Sequence, residues 1–504
     1  STGSIIQTVD PPIINPVTEI HPGEIAQFSI DLQGEDISSF KFSWDFGDGL
    51  PQTVYDNSLT ISHQYDTGGN FVVTLYVKYI ANDKIIQRTT IQPVTNQLTA
   101  DTPSRSAKIL YDDVNNLVWN VNPDNNSVSA IKANTTDHQL VYEIAVGENP
   151  KSLALTSDGK LWVVNKNSSS MTIINTSNGN IEQTLPLDYG SSPVSIVIDN
   201  QNNVAYIALQ STQILTKYST NTNSLISSLN IGEWPKSLAL DASRNKLWIA
   251  RFISPEDAGK LTLVDTQTFT IDKIVSLQPS KNNADIATNG RGLPNYLGAL
   301  AISPDGTQMF VPSKKDNIYR GSQRDGLPLT FDSSVRSMGA QIDLETGQEN
   351  FDNRVDFNNS DFATAAVYSP NGSQIFVSTN GTSSIWVIDA FDLSRRSEIS
   401  TGGDAPDDMV ISPDGKKLFV HNFMSRSVVV FDSNLACNTT CSVVHRLSKT
   451  TVVSNEKLSD KVLLGKQLFY NSYDTRLATD GYMSCASCHL DGTHDGRTWD
   501  FTNL

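Results

Sequence analysis

Ser484-Cys485-Ala486-Ser487-Cys488-His489 is the stretch of this 504-residue chain with the plainest chemistry. Two thiols three apart fall on one turn, so each can form a thioether to a vinyl group of a single haem. The imidazole that follows then reaches the iron from one face. Cys-x-x-Cys-His is the attachment pattern of a c-type haem. The competing readings are a disulfide or one half of a zinc site. A zinc site needs a second Cys/His pair, and the only other cysteines, Cys437 and Cys441, read as a pair of their own. They lie between two strand-like runs, 428–431 and 443–446, where a disulfide would staple a hairpin and persist only in an oxidising compartment. The sequence therefore predicts one covalent haem c on Cys485 and Cys488, with His489 as proximal iron ligand.

The sixth iron position is open. His494 is a weak distal candidate, because a five-residue loop has difficulty carrying it round the haem edge. Met483, just before the motif, is equally weak and reads more simply as packing. His445, His421 and His63 are distant candidates, and a ligand from another subunit or from beyond Leu504 is the first expectation. A closed His/Met or His/His haem moves electrons, whereas an open iron binds and activates peroxide or oxygen. Arg497 and Trp499 are candidates to line the haem pocket, set against ordinary packing.

A net charge of −17 argues against nucleic-acid and anionic-membrane partners, which need a basic footprint. Only 18% of residues are charged, and Asn, Ser, Thr, Gly and Pro abound, as in secreted all-β proteins. No apolar run approaches the ~18 residues of a membrane helix; the longest strand-like one, 71–79, is broken by Thr74 and Lys78. The chain opens at Ser1 without a basic, apolar leader and reads as a mature secreted form. An extracellular, cell-surface or periplasmic location is expected.

Three modules must position the motif. Residues 1–20 read as an extended lead-in. From 21 to 97 short alternating strands dominate: Phe40-Lys41-Phe42-Ser43-Trp44-Asp45-Phe46-Gly47-Asp48-Gly49 ends in a Gly-rich turn, and His63-Gln64-Tyr65 leads through Gly68-Gly69 into Phe71-Val72-Val73-Thr74-Leu75-Tyr76-Val77. This closely resembles the PKD domain, an immunoglobulin-like β-sandwich that serves as a spacer or adhesion module. Trp44 and Phe46 then read as core and turn residues, and Asp45 and Asp48 as turn residues ahead of any binding role.

Residues 104–449 repeat. The unit is a strand such as Asn149-Pro150-Lys151-Ser152-Leu153-Ala154-Leu155, a turn, and a second strand carrying an aromatic. The turn recurs as Ser303-Pro304-Asp305-Gly306, Ser369-Pro370-Asn371-Gly372 and Ser412-Pro413-Asp414-Gly415, with Gly supplying the positive φ. The marker aromatics Trp119, Trp162, Tyr206, Trp248, Phe310, Phe376 and Phe419 are 43, 44, 42, 62, 66 and 43 residues apart. Seven four-stranded units make a seven-bladed β-propeller, resembling the YVTN-type propellers of bacterial and archaeal surface proteins. The aromatics are expected between blades. The two long intervals hold insertions, 252–259, 279–294 and 314–329, and insertions in repeat folds often build the binding face. The last carries Lys314, Lys315, Arg320 and Arg324, read as a solvated loop or as a dock for an acidic partner or for the haem segment.

Residues 455–504 change period. Ser459 caps a helix with an apolar face of Val462, Leu463, Leu464, Leu468 and Phe469. Leu464-Gly465-Lys466-Gln467-Leu468-Phe469, Arg476-Leu477, Asp480-Gly481 and Ser484-Cys485-Ala486-Ser487-Cys488-His489 together resemble the beginning of the di-haem cytochrome c peroxidase and MauG-like family. The resemblance covers about 45 residues; the family's second haem motif, and the calcium site between haems, are absent. Some 50 residues bury too little surface to enclose a haem alone, so the expectation is a longer polypeptide, or a haem face completed by the propeller or a neighbouring chain.

The fold class is thus mainly β: a PKD-like sandwich, a seven-bladed propeller and a short helical c-type haem segment. The leading functional expectation is an extracellular electron-transfer cytochrome with a redox partner protein or neighbouring subunit, and a possible homo-oligomer or assembly through the haem segment. The alternatives are a fragment of a peroxidase or MauG-like oxidase, and an adhesion or structural protein.

Overall fold

The computed structural model of the protein describes residues 11–282, 284–433 and 445–502. Cys437 and Cys441, the expected disulfide, lie outside the described residues.

The first module is a sandwich of two three-stranded antiparallel sheets. One joins Ile13–Ile14, Ile25–Asp31 and Thr60–Gln64; the other joins Phe40–Asp45, Gly69–Tyr79 and Ile85–Val94. Alternation turns Phe28, Phe42, Trp44, Val73, Leu75 and Val77 inward, where they form one buried cluster with Phe46 and Tyr65. The Gly-rich turn is built as expected: Asp45 accepts from the Gly47 amide and Asp48 from the Leu50 amide. Asp48 also meets His63 at 2.7 Å, and that imidazole stacks on Phe46 at 3.9 Å. A β-carbon at Gly47 (φ 74) would strike the Val72 carbonyl, so the turn needs glycine there.

The sandwich sits on blades five and six of the propeller. Asn70 donates to the Ser373 carbonyl and to Asp389, and Asn96 donates to Asp305.

Among the described residues seven antiparallel sheets follow, each built from one contiguous stretch of chain apart from one added strand in blade four: blade one runs from Ile109–Asp112 to Leu140–Ala145, and blade seven from Pro406–Ile411 to Arg446–Thr451. The seven marker aromatics are all buried, and each belongs to a different cluster. Trp119 packs with Leu153 and Leu161 of blade two, and so round the ring to Phe419 of blade seven, which packs with Ile109 and Val118 of blade one. The ring therefore closes on side chains. At that seam Lys417 donates to the Ala133 carbonyl, and Thr450 to that of His138.

Ser104–Arg105 adds to the inner edge of blade four (Pro235–Asp241), and Arg105 reaches Asp408 of blade seven at 2.6 Å. The chain entering the propeller thus runs beside its central channel.

Beyond blade seven, Asp460–Phe469 is a helix whose Ser459 side chain accepts from the Val462 amide. Among the described residues no helix is long and apolar enough to cross a membrane.

Candidate functional site

Cys485 begins a single helical turn, Ala486–His489. Backbone bonds from Cys488 and His489 to the Cys485 carbonyl close it, at 3.3 and 3.0 Å. Both cysteines are free thiols; Cys485 and His489 are exposed and Cys488 is half-buried. Burial pushes the Cys488 thiol up to about 12, so it stays protonated. His489 Nδ1 lies 3.0 Å from the Thr493 carbonyl oxygen. A carbonyl only accepts, so the contact requires Nδ1–H and leaves the Nε2 lone pair unused, as a metal-ligating histidine needs. No group of three or more His, Cys, Asp or Glu able to hold a metal ion occurs among the described residues. Two free thiols on one turn and a tautomer-fixed imidazole fit a covalently attached haem.

The propeller holds this turn in place, partly through its inserts. Ser487 Oγ donates to Asp361 at 2.6 Å, and Tyr296 OH to the Cys488 carbonyl at 2.9 Å. Tyr470, Ala486 and Leu490 of the segment pack into an apolar cluster with Phe252, Tyr296, Phe362 and Phe423. Asp495 meets Lys314 at 3.1 Å, and Lys314 also meets Asp316 at 2.9 Å, all three being buried. Burial alone would push the Lys314 ammonium down; Asp316 and Asp495 outweigh it and hold it well above its ordinary value.

The insert is a solvated loop only in part: residues 323–328 are exposed, but its first charged residues are not. Lys314, Lys315 and Asp316 end the strand Gln308–Asp316 and are buried. Lys315 pairs with Asp356 at 2.8 Å and Arg320 with Asp285 at 3.2 Å, while Arg324 donates to the Thr498 carbonyl. Of the expected uses, docking the haem segment is the one this geometry performs.

The remaining sequence candidates scatter. Arg497 turns into the propeller, 3.4 Å from Asp316 and 2.8 Å from the Ser254 carbonyl, and Trp499 Nε1 donates to Asp495 at 3.0 Å. Arg497 thereby ties the segment to the propeller, while the Trp499 bond lies within the segment. His494 is exposed, accepts from the Gly496 amide and stands edge-on to Trp234 with ring centroids 6.4 Å apart. Met483 is half-buried beside Tyr482, which packs under Arg336. His63 belongs to the sandwich turn, His421 is buried against Asp407 at 2.7 Å, and His445 lies at the margin of the described chain.

The segment also covers one end of the propeller's central cavity, of about 900 Å³. Lys108, Lys151, Lys166 and Lys236 line it, and Asp491, two residues past His489, enters it with φ 54, meeting Lys151 at 3.1 Å and Lys236 at 3.7 Å. Sequence reasoning missed this group. The available signal is a string, Pro-Lys-Ser-Leu-Ala-Leu, that begins the inner strand at both 150–155 and 235–240.

These modules match known families. Residues 9–91 match the PKD domain, residues 333–454 the lactonase-type seven-bladed β-propeller, and residues 459–501 the di-haem cytochrome c peroxidase family. The chain therefore carries a PKD domain, a seven-bladed propeller and, at its C-terminal end, a fragment of a haem-protein family. No curated protein sequence matches it significantly. Among solved structures, hydrazine synthase of Kuenenia stuttgartiensis is similar at 15% identity and TM-score 0.54, over 67% of this chain and 97% of that one. A functionally unknown protein from Desulfotomaculum acetoxidans is similar at 15% identity and TM-score 0.47, over 66% and 98%. The dihydro-haem d1 dehydrogenase NirN is similar at 13% identity and TM-score 0.45, over 83% and 76%. At 15% identity the likeness to hydrazine synthase is one of fold.

Proposed function

We propose that this chain is a c-type cytochrome that transfers electrons, with one haem attached at Cys485 and Cys488, ligated by His489 and displayed on the face of the propeller. The observation that carries this reading is the Cys-x-x-Cys-His turn itself: both thiols are free and the ring Nδ1 is committed to the Thr493 carbonyl, so Nε2 is left for iron. Haem, when bound, supplies a one-electron couple. The protein's own part is to fix the imidazole, hold the turn through Ser487 and Tyr296, and present the exposed side of the segment to a redox partner protein or neighbouring subunit. An oxidising compartment, periplasmic or extracellular, goes with this reading, since thioether attachment needs reduced haem delivered to thiols outside the cytosol.

A second reading, a peroxidase-type oxidoreductase, is favoured by the family match over 459–501. The absorption and EPR spectra of the haem-loaded protein, with and without peroxide, separate the two. A low-spin, six-coordinate haem indifferent to peroxide supports electron transfer. A high-spin haem that reacts with peroxide overturns it in favour of the peroxidase.

A further inference from the structure

Five inner strands of the propeller break register one residue from their start, between Pro150 and Ser152, Pro193 and Ser195, Pro235 and Ser237, Ala363 and Ala365, and Pro406 and Asp408. A β-bulge leaves its extra residue unpaired and re-aims that side chain. The residues so freed are Lys151, Val194, Lys236, Thr364 and Asp407, and all five line the central cavity. The bulges are a repeated device that presents one chosen side chain per blade to the channel.

The lining carries five lysines and five carboxylates, but their ion pairs are unevenly shared. Asp407 is taken by Lys108 at 2.9 Å and His421 at 2.7 Å, Asp408 by Arg105 at 2.6 Å, and Asp124 by Arg426 at 2.8 Å and Lys466 at 2.5 Å. Three cations remain. Lys151 and Lys236 share Asp491, while Lys166 reaches the neutral Gln210 amide oxygen at 3.2 Å. Glu148, also on the lining, is exposed. Lys151, Lys166 and Lys236 thus have one ion-pair partner between them, Asp491, and further negative charge among them would be stabilising. Burial and the neighbouring lysines push Lys236 down to about 7 despite Asp491, and burial with Lys151 lowers Lys166.

We infer that the central cavity binds a small organic dianion, with Lys151, Lys166 and Lys236 holding its charged head and Asp491 of the C-terminal segment competing for the same lysines. About 900 Å³ lies within the range of small-molecule sites. Phe252, Tyr296, Phe362, Phe423 and Phe469 supply an apolar wall for the carbon part of the ligand. A phosphomonoester and a dicarboxylate both answer this description. The inference stands on the channel residues alone and does not require haem.

Isothermal titration calorimetry on the whole chain tests it, with phenyl phosphate, phthalate and inorganic phosphate as probes. The expected result is saturable one-to-one binding of phenyl phosphate, phthalate or both, with inorganic phosphate at least tenfold weaker. Which organic probe binds tells phosphoryl from carboxylate recognition. Lys151→Gln and Lys236→Gln should each weaken binding at least tenfold, and Asp491→Asn should strengthen it several-fold. The Asp491→Asn arm stays readable even if a lysine variant fails to fold. No saturable binding of either organic probe at millimolar concentration overturns the inference, as does binding indifferent to both lysine substitutions, inorganic phosphate binding as tightly as the organic probes, or weaker binding in Asp491→Asn.

Discussion

Lys314 Nζ stands 3.1 Å from the carboxylate of Asp495, and both side chains are sealed from solvent. One belongs to a propeller insert and the other lies six residues past His489, so a buried ion pair joins the scaffold to the segment that carries the Cys-x-x-Cys-His turn. Removing one partner of such a pair costs about 3–5 kcal/mol because the other charge stays buried. Asp495→Asn, which leaves Lys314 paired with Asp316 of the propeller, should therefore release residues 455–502 to limited proteolysis while the propeller's own thermal transition shifts less. Lys314→Met combined with Asp495→Asn should be less damaging than the two single losses summed, a coupling of roughly 0.5–3 kcal/mol.

His138 makes the ring closure acid-sensitive. It is buried at the seam of blades one and seven, with Nδ1 2.7 Å from Ser448 Oγ and Nε2 3.3 Å from Lys417 Nζ. Burial first, then the Lys417 charge, pushes it from 6.5 down to about 4. The unfolded chain therefore binds the extra proton between these values, so stability is complete above pH 6.5 and falls as pH drops toward 4. The loss should reach about 3 kcal/mol. Urea titrations from pH 7 to pH 4 check this: His138→Gln should flatten the profile in that window.

Tyr296→Phe should loosen the Cys-x-x-Cys-His turn without freeing it. The substitution removes the donor to the Cys488 carbonyl but keeps the ring stacked on Phe252 at 4.2 Å and under Lys314 at 4.4 Å. A loss of about 1 kcal/mol is expected, read as faster amide exchange at residues 486–489.

Two glycine-to-alanine changes should have opposite signs. In the strand Val335–Asp343, a β-carbon at Gly339 would run into the Phe310 ring that packs blade five against blade six, and the overpacking should cost about 1–3 kcal/mol. At Gly465, inside the helix Asp460–Phe469, nothing lies within 4 Å, and alanine should stabilise by about 0.5–1 kcal/mol. Thermal unfolding of the two variants gives both.

The fold was readable because it rests on periodic signals. The aromatics spaced 43, 44, 42, 62, 66 and 43 residues apart fall one to each inter-blade cluster, and Ser-Pro-Asp-Gly marks hairpins because Gly306 and Gly415 take φ 68 and 71. The haem reading of Cys485, Cys488 and His489 rests on residue type and spacing and stands as a proposal. What surrounds them was not readable. Lys314, Lys315 and Asp316 look like a charged surface run, since sequence cannot show Asp495 arriving from 181 residues away to neutralise Lys314. The channel lysines were hidden for another reason: strict alternation does not anticipate a bulge, and it is the bulge that turns Lys151 and Lys236 inward.

The most direct test is the haem content of the purified chain, made in a host that matures c-type cytochromes, after acid–acetone extraction and denaturing electrophoresis. The account predicts one haem per polypeptide that stays with the chain, is lost in Cys485→Ser/Cys488→Ser, and in His489→Ala remains attached with an altered spectrum. A chain without haem, or haem that leaves on extraction, would contradict it.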